Sequence, residues 1–194
     1  VVEEVKVSSK VIGIDLGTYQ STIASSSGTI HTVETVVGRP KDPVARNMLK
    51  RDVLFGAEAL KHKMSCDLYR PMAKGVTQDD EANLAAAKAF MGHLIETMDP
   101  EEYDEVVGVV CSPSHVSFTD KSNLVATLRG QVNAIMVVSE PFATAYGIGE
   151  FHGTIVVDIG AGTTDIARLY GTFPSDEDQI CLLYTSPSPR DSMT

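Results

Sequence analysis

Two short stretches of this chain combine an acidic residue with glycine and threonine, which are the residue types that surround bound phosphate groups. One stretch is Asp158-Ile159-Gly160-Ala161-Gly162-Thr163-Thr164-Asp165, and the other, near the start of the chain, is Asp15-Leu16-Gly17-Thr18. Glycine lets backbone amides turn toward an anion, and threonine hydroxyls donate hydrogen bonds to phosphate oxygens. Either turn alone is equally typical of an ordinary β-hairpin. Because the pattern occurs twice, it favours a ligand.

Carboxylates placed beside a polyphosphate repel it unless a divalent cation lies between them. Asp15 and Asp158 therefore predict Mg²⁺, bound mostly through water. A third acidic residue, Glu140, stands at a predicted helix start, where it can orient a water molecule for attack on a γ-phosphate. The alternative for Glu140 is a first-turn glutamate favoured by the helix dipole. Gln20 can reach the same ligand or can lie on a strand surface.

The elements that must position these residues follow from the hydrophobic pattern. An apolar run predicts a strand over residues 10–17, and a hairpin and a third strand follow it. Helical spacing of alanine and larger apolar residues predicts a helix over residues 82–98. Further strands and helices alternate up to the hairpin that carries Asp158. This order predicts an α/β fold in which helices cover a mixed sheet and the ligand binds beyond the carboxyl ends of strands.

Residues 37–66 differ from the rest of the chain in composition and are predicted to form a small inserted subdomain. Residues 38–43 and 67–75 are predicted to be loops, because each contains proline. The insert is rich in basic residues, which either meet an acidic neighbour or form a solvated face. These are Arg46, Lys50, Arg51, Lys61, His62 and Lys63.

Composition excludes several classes of function. The chain has 194 residues, 43% of them hydrophobic and 22% charged, which are ordinary globular values. A formal net charge of −10 argues against nonspecific nucleic-acid binding. The three cysteines show no pairing pattern, which suits a reducing cytosol, and the five histidines lack metal-ligand spacing. No apolar run approaches the roughly 20 residues of a membrane span.

The end of the chain is predicted to be foreign to the protein. Residues 181–191 match the translation of a transposase adapter used in sequencing libraries, so residues 181–194 are expected to be a non-native tail that does not pack. The alternative is a flexible tail rich in proline and serine. On the first interpretation, the natural protein continues beyond Ile180.

The two acidic loops resemble the phosphate-1 and phosphate-2 motifs of the actin/Hsp70/sugar-kinase superfamily. Residues 138–147 (VSEPFATAYG) resemble its first connecting helix as found in bacterial actins of the MreB type, and residues 70–76 (RPMAKGV) resemble a loop of the same group. Within that group, residues 36–42, 137–142 and 155–166 are similar to the actins that form magnetosome filaments.

This resemblance implies roles for the site residues. Asp15 would help to hold Mg²⁺ through water, and Glu140 would be the catalytic residue that positions water. Asp158 would activate water or belong to the metal shell. The β- and γ-phosphates of ATP would be contacted by Gly17 and Thr18 from one side and by Gly160, Gly162 and Thr163 from the other, with Gln20 nearby.

The resemblance also implies an actin-like, ribonuclease H-like ATPase fold. Residues 1–36 and 67–150 would form subdomain IA, 37–66 subdomain IB, and 151–180 the first hairpin of lobe II. The adenosine-binding half of such a protein has no counterpart here, so the chain is expected to be an inactive, truncated fragment. The implied full-length protein is a cytoplasmic, cytoskeletal ATPase that forms homopolymer filaments. These filaments would position an organelle, the magnetosome, together with organelle-associated adaptor proteins. The implied protein has no membrane segment of its own. The alternatives are a cell-shape protein of the MreB type, an Hsp70-type chaperone ATPase and a sugar kinase.

Overall fold

The computed structural model describes residues 8–73, 76–77, 80–100, 103–171 and 174–183. Strands and helices alternate along these residues, as the hydrophobic pattern predicts. In chain order they are β1 (Ser9–Leu16), β2 (Gln20–Ser25), β3 (Ile30–Glu34), β4 (Val37–Pro40), α1 (Pro43–Leu49), β5 (Leu54–Phe55), α2 (Gly56–Lys61), β6 (Cys66–Tyr69), β7 (Met72–Ala73), β8 (Val76–Thr77), α3 (Glu81–Glu96), β9 (Glu105–Ser112), α4 (Phe118–Leu128), β10 (Ala134–Ser139), α5 (Glu140–Ile148), β11 (His152–Ile159), β12 (Thr163–Tyr170) and β13 (Gln179–Leu183).

A five-stranded mixed sheet in the order β10-β9-β1-β2-β3 forms the larger layer. β9 runs parallel to both β1 and β10, whereas β1, β2 and β3 pair antiparallel as a meander. Since β1, β9 and β10 are parallel, their carboxyl ends meet at one edge of the sheet. The prediction of a mixed sheet is confirmed.

One face of this sheet is buried against α3 and α4. β1 alternates between buried and exposed residues, and Ile12, Ile14 and Leu16 point into the core. Phe90 of α3 and Leu128 of α4 are fully buried in the same hydrophobic cluster. Burying side chains of this size contributes about 1.5–3 kcal/mol each, so this face fixes the position of β1.

The α3 and α4 helices begin at side-chain caps, which fix where each starts. The carboxylate of Asp80 accepts a hydrogen bond from the Asn83 amide at 2.9 Å. Ser117 and Asp120 form a reciprocal capping box at the start of α4. Caps of this kind contribute about 1 kcal/mol each.

A second sheet, in the order β11-β12-β13, carries the other acidic loop. α5 packs on it through a cluster of Ala145, Val156 and Leu169. The helix ends at Gly149, whose backbone is left-handed with φ 74°, a conformation that glycine adopts without strain. The strand that precedes α5 belongs to the first sheet, so α5 links the two sheets.

The insert forms a third sheet, in the order β5-β4-β6, and here two loop predictions are wrong. Residues 38–43 include most of β4 and the start of α1. The Asp42 carboxylate caps α1 by accepting from the Ala45 amide at 2.7 Å, and Pro43 occupies the first turn. Aspartate followed by proline therefore starts a helix here rather than a loop.

Residues 67–75 include the rest of β6, which pairs with β4, and β7, which pairs with β8. These strands of two to four residues are set by pairing with distant partners and have too few positions to show an alternating pattern. Lys74 and Gly75, which belong to the predicted actin-type loop, lie outside the described residues.

The predicted foreign tail packs at its start, contrary to expectation. Cys181, Leu182 and Leu183 continue β13 and pair with Asp165, Thr164 and Thr163 of β12. Any extended residues at this position find an open strand edge of β12 to pair with. Residues 184–194 lie outside the described residues, and the origin of the tail stays a prediction.

No helix in the described part of the chain is long and apolar enough to cross a membrane.

Candidate functional site

A cleft lies between the carboxyl edge of the larger sheet and the β11–β12 hairpin. Its volume is about 220 Å³. All the site residues predicted from the sequence line this one cleft, together with Leu16, Tyr19 and Ala161. The predicted residues are Asp15, Gly17, Thr18, Gln20, Glu140, Asp158, Gly160, Gly162 and Thr163.

The first loop is held in shape by hydroxyl groups buried beneath it. Thr35 Oγ1 donates to the Gly17 carbonyl at 2.7 Å and is bonded to Ser21 Oγ at 2.8 Å. Both Thr35 and Ser21 are fully buried. The loop itself turns so tightly that a Cβ on Gly17 would lie 2.2 Å from the backbone oxygen of Gln20. Glycine is therefore required there by a close approach of the backbone.

The second loop joins the two strands of the β11–β12 hairpin. The Gly160 amide donates to the Thr163 carbonyl at 2.9 Å, which closes the turn. The strands pair so that Asp158 and Asp165 stand directly opposite each other. Like charges in opposed positions destabilise a sheet, so this arrangement indicates a functional rather than a structural role.

Glu140 begins α5 directly after β10 ends at the carboxyl edge. Ser139 pairs with Ser112 in the last register position of β10 and β9, and Pro141 occupies the first turn of the helix. The rings of Phe142 and Tyr146 on α5 pack with each other and with Phe151, which follows the helix, with centroids 6.0–6.3 Å apart. This packing fixes α5 on the second sheet and directs Glu140 into the cleft.

The cleft is strongly acidic. Burial, and then the charges of Asp165, Asp15 and Asp158, raise the pKa of Glu140 to about 8. Burial and the charge of Asp158 raise the pKa of Asp15. Burial and the charge of Asp165 raise the pKa of Asp158. None of the residues that line the cleft is basic.

This donor set fits a magnesium–triphosphate better than either component alone. The clustered carboxylates require a compensating cation, and the two glycine loops offer amides and hydroxyls for phosphate oxygens. Among the described residues, no group of three or more His, Cys, Asp or Glu side chains is arranged to hold a metal ion. Mg²⁺ at Asp15 and Asp158 would therefore take its other ligands from water and phosphate.

Two residues of the site escaped sequence reasoning. Asp165 is fully buried beside the cleft and accepts from the Ser114 amide at 2.7 Å, which ties the hairpin to the loop after β9. Its seven-residue separation from Asp158 across a glycine turn is the signal that could have found it. Cys111 follows Val110, the partner of Ile14 in β1. Burial and the charges of Asp15, Glu140 and Asp158 raise the pKa of its thiol to about 12, so it remains protonated at neutral pH and is a poor nucleophile.

The raised pKa of Glu140 predicts how the stability of the ligand-free chain depends on pH. The folded state binds the Glu140 proton more tightly than the unfolded state, whose carboxyl titrates near 4.5. This contribution is complete below about pH 4.5 and is lost as the pH rises through about 8. We expect Glu140→Gln to remove it, so that the variant becomes more stable than the wild type by about 4 kcal/mol at pH 9 relative to pH 5. Urea unfolding at the two pH values measures the difference.

The exposed Glu150 provides the control, because Glu150→Gln should follow the wild-type pH curve. Parallel curves for Glu140→Gln and the wild type would show that Glu140 titrates normally.

Comparison with known proteins identifies the fold and the family. Residues 9–171 match the MreB/Mbl protein family. The chain belongs to this family. The prediction of a bacterial actin of the MreB type is thereby confirmed.

Among curated MreB/Mbl relatives, the chain is similar to the actin-like protein MamK of Magnetospirillum gryphiswaldense. The two are 37% identical over 172 residues, which cover 88% of this chain and 48% of that protein. The chain thus spans about half the length of the curated relatives it matches.

Solved structures of MamK share the fold described above. The MamK double helical filament superposes with a TM-score of 0.86 at 35% identity, over 90% of this chain and 54% of that one. A non-polymerising MamK variant bound to AMPPNP gives a TM-score of 0.79 at 34% identity, over 92% and 55%. The prediction of an actin-like α/β fold is confirmed by this agreement.

Proposed function

We propose that this chain belongs to an actin-like protein that binds Mg²⁺–ATP, assembles into filaments and hydrolyses ATP. The observation that carries the proposal is the single cleft in which two glycine–threonine loops face each other with Asp15, Glu140 and Asp158 between them. These residues come from three distant parts of the sequence. A hairpin that merely needed glycine in its turn would not require such convergence.

The phosphates of the nucleotide would lie between the two loops. Gly17 and Thr18 would contact them from one side, and Gly160, Gly162 and Thr163 from the other, with Gln20 at the rim. MamK, which shares the fold, has been solved with AMPPNP, and this supports ATP as the nucleotide. Mg²⁺, held near Asp15 and Asp158, would neutralise the charge that develops on the phosphates.

Glu140 would position the attacking water. In the ligand-free cleft its pKa of about 8 keeps it protonated at neutral pH. A cation beside Asp15 and Asp158 would cancel much of the negative charge that raises this pKa. Glu140 would then ionise and accept a hydrogen bond from water on the side of the terminal phosphate. Asp158 would stand opposite, within reach of the same water or of the metal shell.

Similarity to filament-forming MamK supports self-association into a cytoskeletal homopolymer in the cytoplasm. It also supports a role in positioning an organelle, the magnetosome, through adaptor proteins. A cell-shape role, as in other MreB/Mbl proteins, is the second candidate, and the family match supports both equally. The match to the MreB/Mbl family disfavours an Hsp70-type chaperone and a sugar kinase.

The proposal is tested on the full-length gene product by electron microscopy and pelleting with Mg²⁺–ATP, Mg²⁺–ADP or no nucleotide. We expect filaments that depend on ATP. ATP turnover that needs an added sugar, or release of a bound unfolded peptide without filaments, would support one of the other classes instead. Imaging of cells that carry a fluorescent copy then separates a line along magnetosomes from a pattern along the cell envelope.

A further inference from the structure

A second pocket lies behind the nucleotide cleft, where the carboxyl ends of β9 and β10 meet the start of β13. Three serine residues line it, Ser112, Ser114 and Ser139, and we call it the serine pocket. Its volume is about 200 Å³, several times the roughly 30 Å³ that one water molecule occupies. Ser139 is the residue before Glu140, so the pocket and the cleft are neighbours.

Two buried polar atoms in the wall of the serine pocket lack a hydrogen-bond partner among the described residues. They are Ser114 Oγ and Gln179 Oε1, and both side chains are only 7% exposed. A buried polar atom without a partner costs about 1–3 kcal/mol, so such atoms are normally paired with a water molecule, an ion or a ligand.

The hydrogen bonds of the Gln179 amide nitrogen fix the orientation of the side-chain amide. Its Nε2 donates to the carbonyls of Pro174 at 3.2 Å and Ser175 at 3.3 Å. The reverse orientation would place Oε1 against these two carbonyl oxygens. The serine pocket therefore presents one buried acceptor, Gln179 Oε1, in addition to its hydroxyl groups.

The remaining wall supplies donors and one positive charge. The three serine hydroxyls can each donate a hydrogen bond, and Lys121 of α4, a positively charged residue, also lines the pocket. Donors and a cation suit an oxyanion, while the acceptor requires that the anion carry a proton of its own. At neutral pH hydrogen phosphate has such a proton, whereas sulfate has none.

We propose that the serine pocket binds hydrogen phosphate. The anion accepts hydrogen bonds from the serine hydroxyls and from Lys121, and its P–OH group donates to Gln179 Oε1. Two acidic residues lie next to this lining, because Asp165 accepts from the Ser114 amide and Glu140 directly follows Ser139. Their negative charge keeps the affinity low, in a range suited to a molecule that must leave again.

The role of the serine pocket rests on the proposed function. ATP hydrolysis in the cleft would release phosphate within reach of the pocket, which would hold the product before it enters solvent. The binding site itself requires no nucleotide, so it can be tested with inorganic phosphate alone. If phosphate binds but ATP is not hydrolysed, the proposed function fails while the site stands.

The test is thermal unfolding of this chain at fixed ionic strength with increasing phosphate or sulfate. We expect phosphate to raise Tm in a saturable manner, by mass action on the folded state. Sulfate should require a roughly ten-fold higher concentration for the same shift, because it leaves Gln179 Oε1 unpaired. Equal shifts from the two anions would overturn the proposal.

Two variants locate the effect. Ser114→Ala removes a hydroxyl that has no partner, so Tm without phosphate should not fall, while the phosphate concentration needed for half of the shift rises roughly ten-fold. Lys121→Met should weaken the response similarly, and Lys61→Met, which removes a lysine from the insert, should not. A phosphate response unchanged in both Ser114→Ala and Lys121→Met, or an absent response in the wild type, would contradict the assignment.

Discussion

Replacing Glu140 with alanine in the full-length gene product is expected to lower the rate of ATP hydrolysis by about 10²-fold or more, which is the usual contribution of a positioned acid or base. ATP binding should persist, because the proposed contacts to the phosphates come from the two loops and not from the Glu140 side chain. The variant also has no carboxyl group at this position that must ionise when Mg²⁺–ATP binds, which favours the nucleotide. Phosphate release and nucleotide titration measure the two effects separately.

Asp158→Ala should lower hydrolysis as well, and it should weaken the dependence on Mg²⁺. Glu150→Ala is the matched control, because Glu150 is exposed just beyond the end of α5. This variant should hydrolyse ATP at the wild-type rate. Wild-type rates in both Glu140→Ala and Asp158→Ala would refute the roles assigned to these residues.

The second large effect is expected at Gly17. A Cβ at this position would lie 2.2 Å from the Gln20 backbone oxygen, a distance at which the backbone must move. Because Thr35 holds the Gly17 carbonyl from beneath, the loop has little room to adjust. We expect Gly17→Ala to weaken ATP binding by roughly 10²-fold, the scale of a misplaced positioning group.

Gly13, which lies in β1 four residues before Gly17, gives a matched control. A Cβ there meets nothing within 4 Å, so Gly13→Ala should fold and bind ATP like the wild type. Comparison of the two variants by circular dichroism and nucleotide titration separates a loop effect from general destabilisation. Wild-type affinity in Gly17→Ala would show that the loop does not contact the phosphates.

The site was predictable from the sequence where its signals are local. An apolar strand that ends in Asp15 or Asp158, followed by glycine and threonine, carries the chemistry within a few consecutive residues. Glu140 was also visible, because a serine before it and a proline after it mark a helix start. The Asp15 and Glu140 segments converge because β1, β9 and β10 are parallel, a relation that the order of strands and helices suggests.

The supporting residues could not be found in the same way. Thr35 and Ser21 brace Gly17 only because β2 and β3 fold back on β1, and single hydroxyl residues on strands have no distinctive pattern. Asp165 belongs to the glycine–threonine motif of residues 158–165, yet its burial and its bond to Ser114 depend on a loop 51 residues away. Cys111 joins the acidic site through the pairing of β9 with β1, which its sequence position does not indicate.

Short strands within and just after the insert differ from the predicted loops for a related reason. β4, β6 and β7 have only two to four residues each, so their strand character comes from their partners. The predicted loop over residues 38–43 includes the start of α1, because its Asp42 cap and Pro43 also favour turns. In both cases the local sequence permits two structures, and tertiary contacts select one of them.

The most direct test of the central claim is calorimetric titration of the full-length gene product with ATP, with Mg²⁺ and with a chelator. The cleft contains Asp15, Glu140 and Asp158 and no basic lining residue, so the triphosphate needs a divalent cation to enter. We predict saturable binding with Mg²⁺ and a loss of at least about 10²-fold in affinity with the chelator. Equal affinity in both conditions, or no binding in either, would contradict a magnesium–nucleotide site between the two loops.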